Sequence, residues 1–139
     1  MNDFRDLHVW HKAHALALAV YRATSAFPST ERFGLVSQMR RAAVSVPANL
    51  AESCGRHGDR DQARLRQIAF GSATELECEL ELARDLAYLP PPEYAALQTS
   101  LVEVKRMLAI LVLRTRGAAR PSGVRPQVSD LRRRQVPEA

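Results

Sequence analysis

Apolar residues recur every three or four positions along most of the chain, the spacing that places them on one face of an α-helix. The pattern predicts a first helix over residues 6–26. One set at this spacing is its expected buried face: Leu7, Trp10, His14, Ala17 and Tyr21. The helix is expected to end at Phe27-Pro28, because the residue before a proline avoids the α region.

A second helical stretch covers residues 30–56 and contains Pro47. A proline inside a regular helix removes one backbone donor and costs roughly 3 kcal/mol. The residues therefore allow either one kinked helix or two helices that meet near Val46. Gly55 and Gly58 mark the end of this stretch, since glycine readily adopts the left-handed geometry of helix C-termini.

The third predicted helix begins at Asp59 or Asp61 and extends to about Leu89. Within it, residues 75–82 alternate between Glu and mostly apolar residues, which taken alone favours a strand. We assign a helix, because Glu and Leu are strong helix formers and a helical stripe continues through the run. The stripe consists of Leu65, Ile68, Ala69, Ser72, Leu76, Leu80 and Ala83.

A fourth helix is predicted over residues 93–116, after three consecutive prolines. Its apolar positions follow a heptad: Leu97, Leu101, Val104, Leu108 and Leu111. Four amphipathic helices joined by short loops predict an all-α protein, an antiparallel up-down-up-down four-helix bundle in residues 1–116. Residues 117–139 are basic and poor in apolar side chains, so we expect a disordered tail.

Composition narrows the functional classes. The 139 residues carry a formal net charge of +5, and the segment 117–139 contributes five arginines and only two acids. No apolar run reaches the roughly 18–20 residues of a membrane span, and the N-terminus does not resemble a secretory signal. The two cysteines, Cys54 and Cys78, offer no disulfide framework, so we expect a cytoplasmic protein in which both are small core residues.

Nothing in the sequence predicts catalysis, a metal or a cofactor. His11 and His14 are three residues apart, but no Glu-x-x-His arrangement accompanies them, which favours surface or half-buried histidines. The glutamates at positions 75, 77, 79 and 81 are expected to form a solvated face or an ion-pair row. We therefore expect a protein that is not an enzyme.

The arginines are the candidate binding residues. Arg40 and Arg41 lie in the second helix, and Arg56, Arg60 and Arg64 follow around the Gly58 turn. Such clusters can neutralise nucleic-acid phosphates without reading sequence. Alternatively, they pair with the Glu75/Glu79 row or with another subunit. No aromatic residue interleaves with them in the sequence, so no base-stacking platform is expected.

Several motifs resemble one known family. They include Phe4-Arg5-Asp6-Leu7-His8-Val9-Trp10, Phe33-Gly34-Leu35 and, most specifically, the run over residues 38–52 from Gln38-Met39-Arg40-Arg41 to Leu50-Ala51-Glu52. The chain resembles the four-helix bundle proteins encoded in intervening sequences of bacterial 23S ribosomal RNA genes, often labelled S23 ribosomal proteins. The resemblance covers about residues 3–113. It implies an antiparallel bundle that assembles as a ring-shaped homopentamer, with a kink at Pro47.

This family includes the accessory variability determinant of diversity-generating retroelements, a basic barrel that binds nucleic acid and a reverse transcriptase. The resemblance and the arginines together favour an oligomeric bundle that binds RNA or DNA. The alternative is a scaffold for a polypeptide such as a reverse transcriptase. Self-association is also indicated by second apolar sets on the first helix (Leu16, Leu18, Ala19, Val20) and on the fourth (Met107, Ile110, Val112, Leu113).

Overall fold

Four α-helices form the structure, a computed structural model that describes residues 3–119. The helices are α1 (His8–Thr24), α2 (Leu35–Cys54), α3 (Asp59–Asp85) and α4 (Pro91–Ala119). Short 3₁₀ turns, Phe4–Asp6 and Ser29–Glu31, precede α1 and α2, and the described residues contain no strand. α1 and α3 each pack against both α2 and α4. The all-α four-helix bundle predicted from the periodicity is therefore confirmed.

The buried face of α1 differs from the one expected. The side chains that pack inside are smaller ones: Val9, Ala13, Leu16, Ala17, Val20 and Thr24. Of the expected face, Ala17 is buried as predicted and Leu7 and Trp10 are partly buried, whereas His14 and Tyr21 lie on the exposed side. Both sets of residues share the same helical spacing, so the period alone does not choose between them. The smaller set lies inside because small side chains allow closely packed helices.

The second helix continues without a break through Pro47, which excludes two helices meeting near Val46. Val46, Pro47 and Leu50 are all buried in the core. Packing of this face against α1 and α3 offsets the missing backbone hydrogen bond at the proline. The helix begins only at Leu35, because Ser29–Glu31 forms a separate 3₁₀ turn.

The alternating run over residues 75–82 lies inside α3, as the helical stripe predicted. The helix ends at Asp85, because Ala87 adopts a left-handed backbone with φ of 61° and the N–H of Tyr88 donates to the carbonyl of Ala83 at 2.9 Å. Ile68 is 41% exposed and therefore lies outside the buried stripe. The heptad of α4 is buried through Leu108, and Leu111 packs at its edge.

The prediction that both cysteines lie in the core needs correction. Cys54 is buried, but Cys78 is exposed, because it lies about 200° around α3 from both Leu76 and Leu80, which face the core. The expected disordered tail lies mostly outside the described residues. Among residues 3–119, no helix is long and apolar enough to cross a membrane.

Candidate functional site

The five candidate arginines lie in two separate regions of the bundle. Arg40 and Arg41 are in the first half of α2, whereas Arg56, Arg60 and Arg64 surround the turn between α2 and α3. At 1.5 Å per residue, the helix from Arg41 to its end at Cys54 spans about 20 Å. The two groups therefore form distinct surfaces, and they differ in the acidic side chains around them.

The arginines at the turn lie among carboxylates. Arg56 Nη2 is 2.7 Å from Glu52 Oε1, and Arg64 Nε is 3.8 Å from Asp61 Oδ1. Arg60 is exposed and has no ion pair among the described residues. Among the described residues, none of these three arginines forms an ion pair with Glu75 or Glu79, the partners that the alternative interpretation expected. Exposed pairs of this kind contribute little to stability, but they lower the net charge that a ligand would meet.

The other group borders a groove of about 600 Å³ between α1 and α2. Its lining consists of Tyr21, Arg32, Phe33, Val36, Ser37, Arg40, Arg41, Val44 and Ser45. Three of these nine residues are arginines, and none is acidic. The groove is consequently a concave surface lined by three cationic side chains and no acidic one, a composition that favours polyanions.

The entrance to α2 builds one wall of this groove. The carboxylate of Glu31 accepts a hydrogen bond from the backbone N–H of Leu35 at 3.0 Å, at the positive end of the helix. Gly34 permits this close approach, because a Cβ at that position would lie 3.2 Å from Glu31 Oε2. The carboxylate of Glu31 is thus engaged by the helix end, while Arg32 and Phe33 remain exposed.

Arg40 joins α2 to the end of α1. Its Nε donates to Thr24 Oγ1 at 3.0 Å, and its Nη2 donates to the Tyr21 carbonyl at 3.2 Å and to Ser25 Oγ at 3.3 Å. The last carbonyls of a helix carry partial negative charge and need donors, which the guanidinium supplies. Arg40 therefore fixes the shape of the groove, whereas its neighbour Arg41 is exposed.

Aromatic rings do lie beside these arginines in the fold, which corrects the expectation that none accompanies them. Phe33 is 89% exposed and Tyr21 is 44% exposed. The guanidinium carbon of Arg32 lies 5.6 Å from the Phe33 ring centroid, and that of Arg40 lies 4.6 Å from the Tyr21 centroid. Tyr21 belongs to another helix and reaches α2 only through folding, but the adjacent pair Arg32-Phe33 was a signal in the sequence.

A polar notch between α2 and α3 adjoins the groove. Arg41 and Ser45 line both, and the notch adds Ser72 and Glu75. The hydroxyls of Ser45 and Ser72 lie 2.8 Å apart and hold the two helices together. Within the described residues, Glu75 does not approach Arg41 closely enough to form an ion pair. The charge of Arg41 is therefore available to a ligand.

The glutamate row of α3 is not uniformly solvated, which corrects the expectation from the sequence. Glu77 Oε1 lies 3.3 Å from Lys105 Nζ, as an ion-pair row would predict. Glu79, however, is only 6% exposed, and neither of its carboxylate oxygens has a donor among the described residues. Burial, with a smaller contribution from the charge of Glu75, raises the pKa of Glu79 to about 7.

A buried arginine also escaped the sequence analysis. Arg66 is 8% exposed, and it donates from Nε to Ser53 Oγ at 3.1 Å and from Nη1 to Thr115 Oγ1 at 2.7 Å. It thereby links α2, α3 and α4 in the interior. Its sequence context resembles that of the exposed Arg64, so only its position around the helix distinguishes the two.

The histidines of α1 contact other groups. His11 Nε2 lies 2.7 Å from the Arg5 carbonyl oxygen, and the ring of His14 stacks on Trp10 with centroids 4.8 Å apart. Across the part of the chain that the structure describes, no group of three or more His, Cys, Asp or Glu side chains is placed to hold a metal ion.

Comparison with known proteins places this fold and sequence in context. No curated protein matches the chain. A crystal structure of a protein of unknown function from the S23 ribosomal protein family of Bacteroides thetaiotaomicron has a similar fold, with a TM-score of 0.69 and 22% identity over 75% of this chain and 94% of that chain. The family model described as 23S rRNA-intervening sequence protein matches residues 5–110, so the chain belongs to the 23S rRNA-intervening sequence protein family.

Proposed function

We propose that the chain is a cytoplasmic protein without enzymatic activity that binds nucleic acid, RNA or DNA, through the groove between α1 and α2. The observation that carries this proposal is the groove lining, which contains three arginines and no acid. Phosphate contacts by arginine supply affinity that does not depend on sequence. Arg32 and Arg41 are the exposed phosphate ligands, and Arg40 holds the groove in shape.

The turn between α2 and α3 contributes less to this binding. Glu52 and Asp61 lie beside Arg56 and Arg64, so an approaching phosphate meets nearby negative charge as well. Arg60 adds a contact at the edge of the surface. The five arginines selected from the sequence therefore divide into a primary site and a weaker accessory site.

Paired charge reversals test this division. Fluorescence anisotropy with labelled RNA and DNA would be measured for the full chain at about 100 mM salt. We expect R32E with R41E to lower the affinity about tenfold or more, since each reversal removes one phosphate contact and adds repulsion. The matched control, R60E with R64E, changes net charge equally and is expected to lower it less than about threefold. Equal losses in the two variants would contradict the assignment to the groove.

A scaffold for a polypeptide is the second candidate, and a separate surface favours it. Ile68 and Leu82 on α3, and Leu86 directly after its end, are 41%, 50% and 46% exposed. Leu82 and Leu86 are four residues apart, so their exposed side chains are neighbours. Such a pair suits a protein partner, such as the reverse transcriptase implied by the resemblance. A pull-down of that partner tests this candidate. Capture that persists after nuclease treatment and in R41E, but is lost in L82E, would favour the scaffold over nucleic-acid binding.

We infer that the bundle is antiparallel and that it self-associates, with the ring-shaped homopentamer as the expected assembly. Hydrogen bonds from Arg66 to Ser53 and between Ser45 and Ser72 support opposite directions for α2 and α3.

The apolar sets proposed for association need correction, because three of their members lie inside this bundle: Leu16, Val20 and Val112. Three others are available, namely Leu18, Ile110 and Leu113, which are 45%, 46% and 68% exposed. Sedimentation of I110E with L113E is expected to show smaller species than the unmodified chain.

A further inference from the structure

Phe33 is the most exposed large apolar side chain among the described residues, at 89%. Exposure of an entire phenyl ring is unfavourable in water, since burying such a side chain is worth roughly 1.5–3 kcal/mol. The ring lies beside Arg32, with the guanidinium carbon 5.6 Å from its centroid, and lines the same groove as the exposed Arg41. The groove therefore combines an exposed aromatic ring with positive charge.

The backbone that carries Phe33 is fixed before any ligand arrives. The N–H of Arg32 donates to the Ser29 carbonyl at 3.2 Å, and the N–H of Gly34 donates to the Glu31 carbonyl at 3.0 Å. The Glu31 side chain also holds the first N–H of α2, that of Leu35. A ligand that covers this ring consequently does not have to order the segment that presents it, which lowers the entropic cost of binding.

The chemistry of the lining selects one class of ligand. Three arginines without an acid favour a polyanion, and the exposed rings of Phe33 and Tyr21 favour planar groups that can stack. A single-stranded nucleic acid carries both phosphates and unpaired base faces on one chain. A duplex presents the same phosphates, but its base faces are stacked on one another and cannot reach an aromatic side chain.

We propose that the groove prefers single-stranded over duplex nucleic acid, with one base stacked on Phe33 and the flanking phosphates on Arg32 and Arg41. This inference rests on the proposed function and specifies its ligand. Tyr21 provides a second ring surface, although Arg40 covers part of it, since the guanidinium carbon lies 4.6 Å from the Tyr21 centroid. Phe33 is therefore the principal stacking residue.

The test compares three probes of equal length: a single strand, an abasic single strand and the duplex. Binding of each to the full chain would be measured by fluorescence anisotropy at one salt concentration. We expect the single strand to bind more tightly than the duplex, and about fivefold or more tightly than the abasic strand, the lower end of the effect of one stacked base. Equal or tighter binding of the duplex would overturn the preference. F33L is expected to remove this difference and to leave abasic-strand and duplex binding unchanged. The matched control, L86A, removes an exposed apolar side chain outside the groove and should preserve it.

Other outcomes separate this inference from the proposed function. Equal affinity for the single and abasic strands, combined with loss of binding in R32E with R41E, would overturn base stacking and retain the arginine groove. Absence of binding to all three probes would overturn both proposals. A fall in sedimentation mass on F33L would show that Phe33 contacts a second copy of the chain, which would also overturn the stacking role.

Discussion

The groove and the turn each contain three arginines, yet they differ in the acids around them. Arg32, Arg40 and Arg41 line a surface with no acidic residue, whereas Arg56 and Arg64 lie within 4 Å of Glu52 and Asp61. The two regions therefore have similar numbers of cations and different net charge. Counting arginines along a sequence identifies both, but only the placement of carboxylates shows which one can attract a polyanion.

Neighbouring residues within the groove differ in the same way. Arg40 forms two hydrogen bonds to α1 and one to Ser25 directly after it, and Arg41 lies exposed on the next position of α2. One side chain joins two helices and the other is available to a ligand, although they are adjacent and chemically identical. The partners of a charge, and not its identity, determine whether it stabilises the fold or binds.

The largest expected effect concerns Glu79, which is the reverse case, a buried acid without a cation. Because its pKa in the folded chain is raised to about 7, the folded state favours the protonated carboxyl. The stability contributed by protonated Glu79 is fully present below the pKa of this carboxyl in the unfolded chain, and it is lost as the pH rises through about 7. In chemical denaturation, the free energy of unfolding of the unmodified chain should therefore include a decline of roughly 3 kcal/mol from this group between about pH 4 and pH 8. E79Q should lack this decline. The exposed-site control, E81Q, should retain that decline, and an identical profile for E79Q and the unmodified chain would contradict the assignment.

The next effect separates the two adjacent arginines. R40M removes three hydrogen bonds to the C-terminal end of α1 and to Ser25, and is expected to lower the free energy of unfolding by about 2 kcal/mol. R41M removes an exposed side chain and is expected to change it by less than about 0.5 kcal/mol. Urea denaturation of both variants measures the difference, and equal stability would show that the contacts of Arg40 with α1 are not maintained in solution.

The salt dependence of binding sharpens the comparison between groove and turn. Neutralising two phosphate contacts with R32Q and R41Q should reduce the slope of log affinity against log salt by about 1.4 for a single strand. R60Q with R64Q should reduce it by less than half of that amount. Titrations between about 50 and 200 mM salt measure both slopes, and a larger change for the turn variant would reverse the assignment of the primary site.

The smallest expected effect is a gain. E52Q with D61N removes the acids beside Arg56 and Arg64 without altering any arginine. If those acids are what weakens the turn as a binding surface, affinity for nucleic acid should rise about two- to threefold, with the steeper salt slope expected of additional phosphate contacts. A single-charge control, E81Q, neutralises one exposed acid elsewhere on α3 and should not produce a steeper slope.

The helices were largely predictable because their signals are local. Proline and glycine at the ends, and leucines at heptad spacing in α4, depend on a few neighbouring residues. Helical periodicity also overruled the alternation over residues 75–82 correctly. The buried face of α1 was not predictable, since two sets with the same spacing compete and only packing against α2 and α4 chooses between them.

The groove could be predicted only in part. Arg40 and Arg41 were visible, and Arg32-Phe33 was an overlooked pair, but Tyr21 joins them from α1 across the helix interface. The burial of Glu79 and Arg66 was missed, because their sequence contexts match those of exposed charged neighbours on α3. A rotation of 100° per residue decides whether such a side chain meets water or the core.

The sequence by itself determined four amphipathic helices, an abundance of arginine and the family to which the chain belongs. Each follows from residue identity and spacing within short segments. The tertiary structure alone decided which arginines keep their charge available, which carboxyl is buried without a partner, and which rings line the groove. These properties depend on distances between residues far apart in the chain, and electrostatic and packing energies are set by those distances.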